Sequence, residues 1–438
     1  MTGGDRRPAA GGGRLGLLNQ VDFRRLWVGE TISQFGSQVS LLAIPYMATV
    51  LLHATAFEVA LLGALAFLPF LLFTLPAGAW VDRLRRRPIL ISGDMVRLVA
   101  LGTIPVAWLL GVLSIWQLYA VSFVAGIATV FFDVAYQSYL PALVERGELV
   151  EGNAKLQASE AAATVVGPGL GGALITLVGA PFAVIADALS YLASVVFVLR
   201  IRRPEPHPEA ERRAAGLARE PLRRQVAEGL AFVLDNPYLR AIAGATSSSN
   251  LFGNIVWAIM PVYLYRQLGL SAATAGVIFG IGGLGSLLGA LVANRIAARL
   301  GLGATIVGSI ALGGPAMLLM PLAPHGAPVP WLVVAVAVGG FSSVVYNVNQ
   351  VSFRQAICPI AIQGRMNATM RFLVWGTMPV GSIVGGIAAS VLGVHGAIWL
   401  GAVGSCLPFL SVLLSPVRAL RTVPVPLDEP ATQAAGAV

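Results

Sequence analysis

Five ionisable side chains stand inside stretches that are otherwise apolar: Glu30, Asp94, Arg97, Asp133 and Asp187. Placing such a group at mid-bilayer costs about 2.5–3.5 kcal/mol on insertion scales, so membrane helices carry few without a use. Asp94 and Arg97 are three residues apart and can face each other on one helix. Either they neutralise one another, or Arg97 exchanges Asp94 for Glu30 or Asp133 on neighbouring helices. Asp187 has no cation near it in sequence. Such an isolated carboxyl suits a group that binds and releases a proton, or one held by a structural hydrogen bond. Glu160, near a helix start, reads as solvated.

Polar side chains without charge form faces of their own. Glu30, Gln34 and Gln38 recur every four residues, a single stripe turned to a bundle interior. Asn250 and Asn254 share a face with Trp257, and Ser343, Tyr346, Asn347 and Gln350 follow helical spacing. Together with Phe35, Phe67 and Phe70 they could line an apolar cavity with a few polar anchors, unless each amide only bonds a neighbouring helix. That lining suits a bulky hydrophobic compound better than a sugar or an inorganic anion. No metal site is expected, since Cys358 and Cys406 have no ligand spacing and the four histidines are scattered. No cofactor, no Ser/His/Asp set and no G-x-x-x-x-G-K-[ST] loop is found, so neither an enzyme nor an ATP-driven pump is expected.

The elements that must position these residues follow from composition. Of 438 residues, 56% are hydrophobic and 11% charged, with a mean hydropathy of +0.79. A soluble domain carries about 25% charged residues. The 50 glycines and 27 prolines, spread through apolar runs, read as close-packing and kink positions. A spanning helix needs about 20 apolar residues, and twelve runs qualify as expected spans. They are 26–51, 57–80, 88–111, 115–138, 156–178, 181–200, 240–264, 272–297, 303–324, 331–352, 367–391 and 395–416. With the N-terminus inside, all of the 29 Lys and Arg except Arg97 and Arg266 fall at cytoplasmic ends or loops. Both termini are therefore expected in the cytoplasm, with the chain in the inner membrane. The net charge of +9 is a topology signal and not a nucleic-acid footprint. The first 25 residues hold Arg6, Arg7, Arg14, Arg24 and Arg25 without an apolar core, so no cleavable signal peptide is expected.

Residues 201–239 form the one long polar interruption. Its first part is rich in Pro and charge. Its second, Pro221 to Leu234, spaces Leu222, Val226, Leu230 and Val233 as an amphipathic helix on the membrane surface, with Arg223 and Arg224 at the headgroups, or as a solvated linker. The expected organisation is a tail (1–25), a six-helix bundle (26–200), this loop (201–239), a second six-helix bundle (240–416) and a tail (417–438).

The two halves echo each other at a separation near half the chain. Asp82-Arg83 matches Asn294-Arg295, Asn153-Ala154 matches Asn367-Ala368, and Pro45 matches Pro261. Pro168 with Gly171 and Gly172 matches Pro379 with Gly385 and Gly386. Parallel repeats related by an axis along the membrane normal are a known transporter plan, with the site at their interface.

Over nearly its whole length the sequence resembles the major facilitator superfamily. The loop from Gly78 through Asp82 and Arg83 to Arg86 and Arg87 looks like that superfamily's signature, with Arg85 and Arg86 where Gly and Arg are common. Gly167, Pro168, Gly171 and Gly172 resemble its antiporter motif, with Ala163 where a further Gly is usual. Three segments are similar to the drug:proton antiporter group of macrolide and tetracycline efflux proteins and enterobactin exporters: Phe131 to Val144, Asp187 to Ser190, and Gly364 to Ala368. The resemblance implies an all-α membrane protein, twelve helices in two pseudo-symmetric six-helix bundles, exporting a small hydrophobic compound in exchange for protons. It implies gating between Asp82 and the start of the eleventh span, near Arg365 or Arg371, beyond the loop's topology role. Gly276, Gly280, Gly285 and Gly289 offer the fifth span a smooth partner, whether sliding or static. Membrane lipids, protons and substrate are the expected partners, nucleic acid is not, and a monomer is the expected working unit. A lysolipid flippase or a sodium-coupled transporter are the alternatives on the same plan.

Overall fold

The computed structural model describes residues 16–81, 84–145, 148–205 and 222–421. Asp82 and Arg83, the stretch 206–221, the side chain of Arg223 and the tails 1–15 and 422–438 lie outside the described residues. All regular elements among those described are helical. Hydrocarbon offers no partner for an N–H or C=O group, so apolar runs close their hydrogen bonds within a helix. The first six are α1 (Val21–Tyr46), α2 (Ala56–Val81), α3 (Arg86–Leu109), α4 (Ile115–Leu143), α5 (Leu149–Val178) and α6 (Ala180–Leu199). After them come α7 (Leu222–Asp235), α8 (Pro237–Val262), α9 (Ala272–Leu300), α10 (Leu302–Leu318) and α11 (Pro328–Ile357). The chain closes with α12 (Ile360–Trp375), α13 (Thr377–Gly404) and a short α14 (Phe409–Leu413). Side-chain oxygens of Ser114, Asn236 and Ser271 accept from the first free N–H groups of α4, α8 and α9, which sets those starts.

By length and composition, eight stretches among the described residues are apolar enough to cross a membrane, against twelve expected. The difference has physical causes. α1 is diluted by Glu30, Gln34 and Gln38, and α8 by the run Thr246 to Asn250 and by Asn254. α10 is only 17 residues long. The last two expected spans share one apolar stretch, Ile362–Leu413, bent at Gly393. The φ of +74° there is left-handed backbone that glycine adopts at little cost.

Packing sorts the long helices into two groups. In the first, α1 lies on α5 and α6, α3 on α4 and α6, and α2 on α4. In the second, α8 lies on α13, α9 on α11, and α10 on α11 and α13. The groups meet along α5 with α9 and along α2 with α8 and α13. The duplication reappears locally. Pro45 and Pro261 each precede a π-turn, Met47–Leu51 and Tyr263–Gln267, at equal separation in sequence. Leu52 N–H donates to Met47 O at 2.9 Å and Leu268 N–H to Tyr263 O at 3.0 Å, so the two turns close alike.

One end of the molecule gathers the basic helix ends. Beyond α6 the chain crosses that end, where the Glu205 carboxylate accepts from Arg86 N–H at 2.6 Å and Arg87 N–H at 3.1 Å. These are the first residues of α3, whose free N–H groups and dipole favour an anion. Leu420 and Arg421 carbonyls do the same for α10, accepting from Gly303 N–H at 2.8 Å and Leu302 N–H at 3.3 Å.

The amphipathic α7 packs on α12 and α8. Val233 is fully buried among Leu239, Ile242, Met366 and Met370, so this face rests on protein. Glu228 accepts from Arg224 at 2.8 Å and from Arg365 of α12. The Arg224 hydrogen bond, with burial opposing it and the Arg365 charge adding to it, holds the Glu228 carboxyl below its ordinary value of 4.5. A carboxyl lowered on docking stabilises the docked state above its undocked value and loses that effect as pH falls through the lowered one. Protection of residues 222–235 against hydrogen exchange, taken relative to the intrinsic rate at each pH, is therefore expected to fall on acidification below about pH 4.5, and Glu228→Gln to remove the pH step. A pH-independent protection factor in the wild-type chain would contradict this.

Candidate functional site

A cavity of about 1280 Å³ lies between the two groups. Its walls are mainly apolar. Phe67 and Phe70 of α2 sit 6.4 Å apart, Phe70 meets Trp375 of α12 at 5.0 Å, and Trp257 of α8 meets Phe279 of α9 at 5.7 Å. The expected lining residues Gln38, Phe67, Asn250, Asn254, Trp257, Tyr346, Asn347 and Gln350 all face it. Phe35 and Gln34 do not; Gln34 donates to Glu30 Oε1 at 2.7 Å along its own helix. Several polar groups are spent on helix contacts. Asn250 donates to Val374 O at 3.0 Å, Asn254 to Asn250 O at 2.9 Å, and Thr246 Oγ1 lies 2.6 Å from the Tyr346 hydroxyl.

Behind the first group's wall, the five ionisable residues come together. Arg97 Nη2 donates to Asp94 Oδ1 at 2.5 Å, both side chains being buried. The Arg97 guanidinium lies 4.3 Å from the ring centroids of both Phe132 and Tyr191, where the aromatic faces offset part of its lost hydration. Asp94 Oδ2 and Arg97 Nε remain buried without a hydrogen-bond partner among the described residues. Glu30, Asp133 and Asp187 each feel the Arg97 charge. Asp187 is 1% exposed yet borders the cavity, and Ser190 Oγ donates to its carbonyl at 2.7 Å. Gly36 admits α6 here, since a Cβ on it would lie 2.8 Å from Asp187 Oδ1. One cation thus sits among four carboxyls on one side of the cavity. Proton movement is the chemistry open to such a set.

Part of the antiporter-like segment lies in one of the two seams between the groups. A Cβ on Gly172 would fall 2.5 Å from Ala272 O, and one on Gly276 would collide with Pro168 O. Gly171 gives the same clearance to Val39 of α1, and Gly167 to Gln38. At the end opposite the basic loops, Tyr46 and Tyr265 meet at 4.9 Å. Beside them Arg266 Nε and Nη2 donate to Thr49 O at 3.0 and 2.5 Å, tying α8's π-turn to α1's.

Asp82 and Arg83, the loop residues that the resemblance placed at a gate, lie outside the described residues, and the described loop arginines bind neighbours at the basic end. Arg86 pairs with Glu205 at 3.6 Å, and Arg87 Nη2 donates to Leu199 O at 2.6 Å. Arg365 is bound by Glu228, and Arg371 lies 5.2 Å from the Trp375 ring centroid. Gly78 has open space where a side chain would go. Sequence reasoning missed Arg354, Phe279 and Trp375 as lining residues. Arg354 continues the four-residue spacing of Tyr346 and Gln350, a signal hidden by its use as a topology marker.

A model of the transmembrane secretion effector family matches residues 13–432. The multidrug efflux pump Tap of Mycolicibacterium fortuitum is 27% identical over 373 residues, covering 82% of this chain and 87% of that protein. Macrolide efflux protein A of Streptococcus pyogenes is 23% identical over 408 residues, covering 92% of this chain and 98% of its own length. A bacterial homologue of the iron transporter ferroportin, in its inward-facing state, aligns with a TM-score of 0.72 at 15% identity, over 91% of this chain and 98% of that one. The nucleoside transporter NupG gives 0.70 at 13% identity, over 90% and 98%. These two structures share the fold.

Proposed function

The chain belongs to the transmembrane secretion effectors of the major facilitator superfamily, and from that premise we propose that it exports small hydrophobic compounds in exchange for protons. Substrate enters from the cytosol or the inner leaflet, and the two groups, 26–200 and 240–416, rock about the cavity by alternating access. The observation that carries this reading is an apolar cavity walled by both groups, with buried carboxyls, among the described residues, behind one wall only. Relatives named as multidrug and macrolide efflux pumps support drugs or natural products as cargo. The basic residues at one end support an inner-membrane orientation with both termini in the cytoplasm. A single chain supplies both walls of the cavity, which supports a monomer.

Everted vesicles with an inside-acid gradient test the reading. A pH probe is expected to report loss of the gradient when a substrate from a panel of macrolides, tetracyclines, siderophores and dyes is added. Vesicles lacking the protein should show no such loss. In Asp187→Asn the response is expected to fall about a hundredfold or more, the size of a lost proton-transfer group. Full proton-coupled transport by that variant would remove Asp187 from the coupling path. No response to any compound from folded protein would favour a sodium-coupled transporter or a lysolipid flippase.

A further inference from the structure

Ser342, Tyr346, Gln350 and Arg354 form one stripe down α11, one residue per turn, and all four border the cavity. Tyr346 is satisfied by Thr246 at 2.6 Å, and Gln350 gives its amide N–H to Asn347 Oδ1 at 2.8 Å. Three other atoms of the stripe, Ser342 Oγ, Gln350 Oε1 and Arg354 Nε, are buried with no hydrogen-bond partner among the described residues. Arg371 of α12 borders the same cavity from the same group of helices, its guanidinium near the Trp375 ring. Among the described residues, neither Arg354 nor Arg371 forms an ion pair. Asp187, the one carboxyl among the described residues that borders the cavity, belongs to the other group.

A topology role alone leaves an arginine at the rim, as with Arg295 and Arg299, both exposed. Arg354 and Arg371 instead turn into an apolar cavity. The Arg354 guanidinium has a buried Nε without a partner among the described residues, which is costly, while the Arg371 charge also reaches Asp133 of the first group. A planar acid group on a ligand offsets the cost at Arg354 with charge-assisted, two-pronged hydrogen bonds. We propose that the cavity takes amphiphilic anions, with an apolar body between Phe67, Phe70, Trp257 and Phe279 and a carboxylate, sulfonate or phosphate held by Arg354 and Arg371. This deepens the exporter reading and rests on it. The acid group docks near the basic end, and Gln350 and Ser342 meet polar atoms along the body. The substrate's charge is thus opposite to that of a cationic drug.

Three naphthalene probes of one body decide it: the 1-sulfonate, the uncharged 1-sulfonamide and the 1-methylammonium. Their affinities for the purified full chain are measured by equilibrium dialysis. The sulfonate is expected to bind at least about tenfold tighter than the other two, as a charge-assisted contact requires. Arg354→Gln and Arg371→Gln should each remove most of that preference while leaving the sulfonamide bound as before, and Arg354→Lys should keep part of it. Equal affinities for the three probes, or preference for the cation, would overturn the proposal even if neither glutamine variant folds. So would an unchanged preference in both variants. Competition by lysophosphatidylglycerol would assign the anion site to a lipid headgroup, and competition only by soluble sulfonates to a free solute. Gradient loss in vesicles driven by neutral or cationic compounds, without an anion preference, sinks this inference alone. Silence towards compounds of every charge sinks the exporter reading beneath it.

Discussion

Asp94→Ala is expected to cost up to about 3–5 kcal/mol of stability, because it removes the carboxylate that Arg97 pairs with and leaves only the more distant Glu30, Asp133 and Asp187. The two rings that flank the guanidinium soften this loss without replacing the carboxylate. Removing both charges, as in Asp94→Leu with Arg97→Met, should recover most of the stability, since well-packed apolar pairs commonly match a buried ion pair. Thermal unfolding in detergent reads the single and double variants, and equal losses in both would mean the pair does not hold the fold through its charges. The double variant also separates the two roles open to the pair. If it folds, reaches the membrane and still couples protons to transport, the pair only neutralises itself. Transport lost from a stable double variant would place Arg97 in the exchange with Glu30, Asp133 and Asp187.

The seam between α5 and α9 should be as unforgiving. Gly276→Leu is expected to abolish transport and to cut the folded yield, because its first side-chain carbon already meets Pro168 O, and Gly172 Cα lies at 3.3 Å. These neighbours are backbone, so no rotamer relieves the clash and the two groups must separate. Overpacking of a tight site costs about 1–3 kcal/mol even where side chains can yield. Gly169→Ala on the facing helix α5 is the control, since nothing lies within 4 Å of its Cβ position. Wild-type transport by Gly276→Leu would show that the seam is not closed in the working cycle.

Much of this was legible in the residues themselves. Buried charge is conspicuous in an apolar sequence, and Glu30, Asp94, Arg97, Asp133 and Asp187 do converge. The repeat was legible from Pro45 and Pro261, which precede matching π-turns. What stayed hidden depends on contacts between distant segments. Glu205 sits in a stretch read only as rich in Pro and charge, and Glu228 in one read as a membrane-surface helix or a linker, yet one caps α3 and the other binds Arg365. Neither partner is near in sequence. Arg354 was hidden differently: an arginine at a helix end always satisfies the charge rule for topology, and only its orientation shows a second use. Gln34 shows the reverse, a polar residue at the right spacing that turns along its own helix to Glu30 instead of into the cavity.

The contact between Arg266 and Thr49 has an unequal partnership. Its acceptor is a main-chain carbonyl near a helix end, where no further turn supplies a donor. Every amino acid at position 49 would present that same oxygen, whereas few side chains at position 266 could reach and grip it. Inheritance therefore constrains this closure from one side only. Across descendants of this sequence, position 266 should resist change while position 49 drifts within the limits of its buried volume. The two positions would leave no correlated trace, so a search for paired substitutions would overlook a contact that joins the two halves of the molecule.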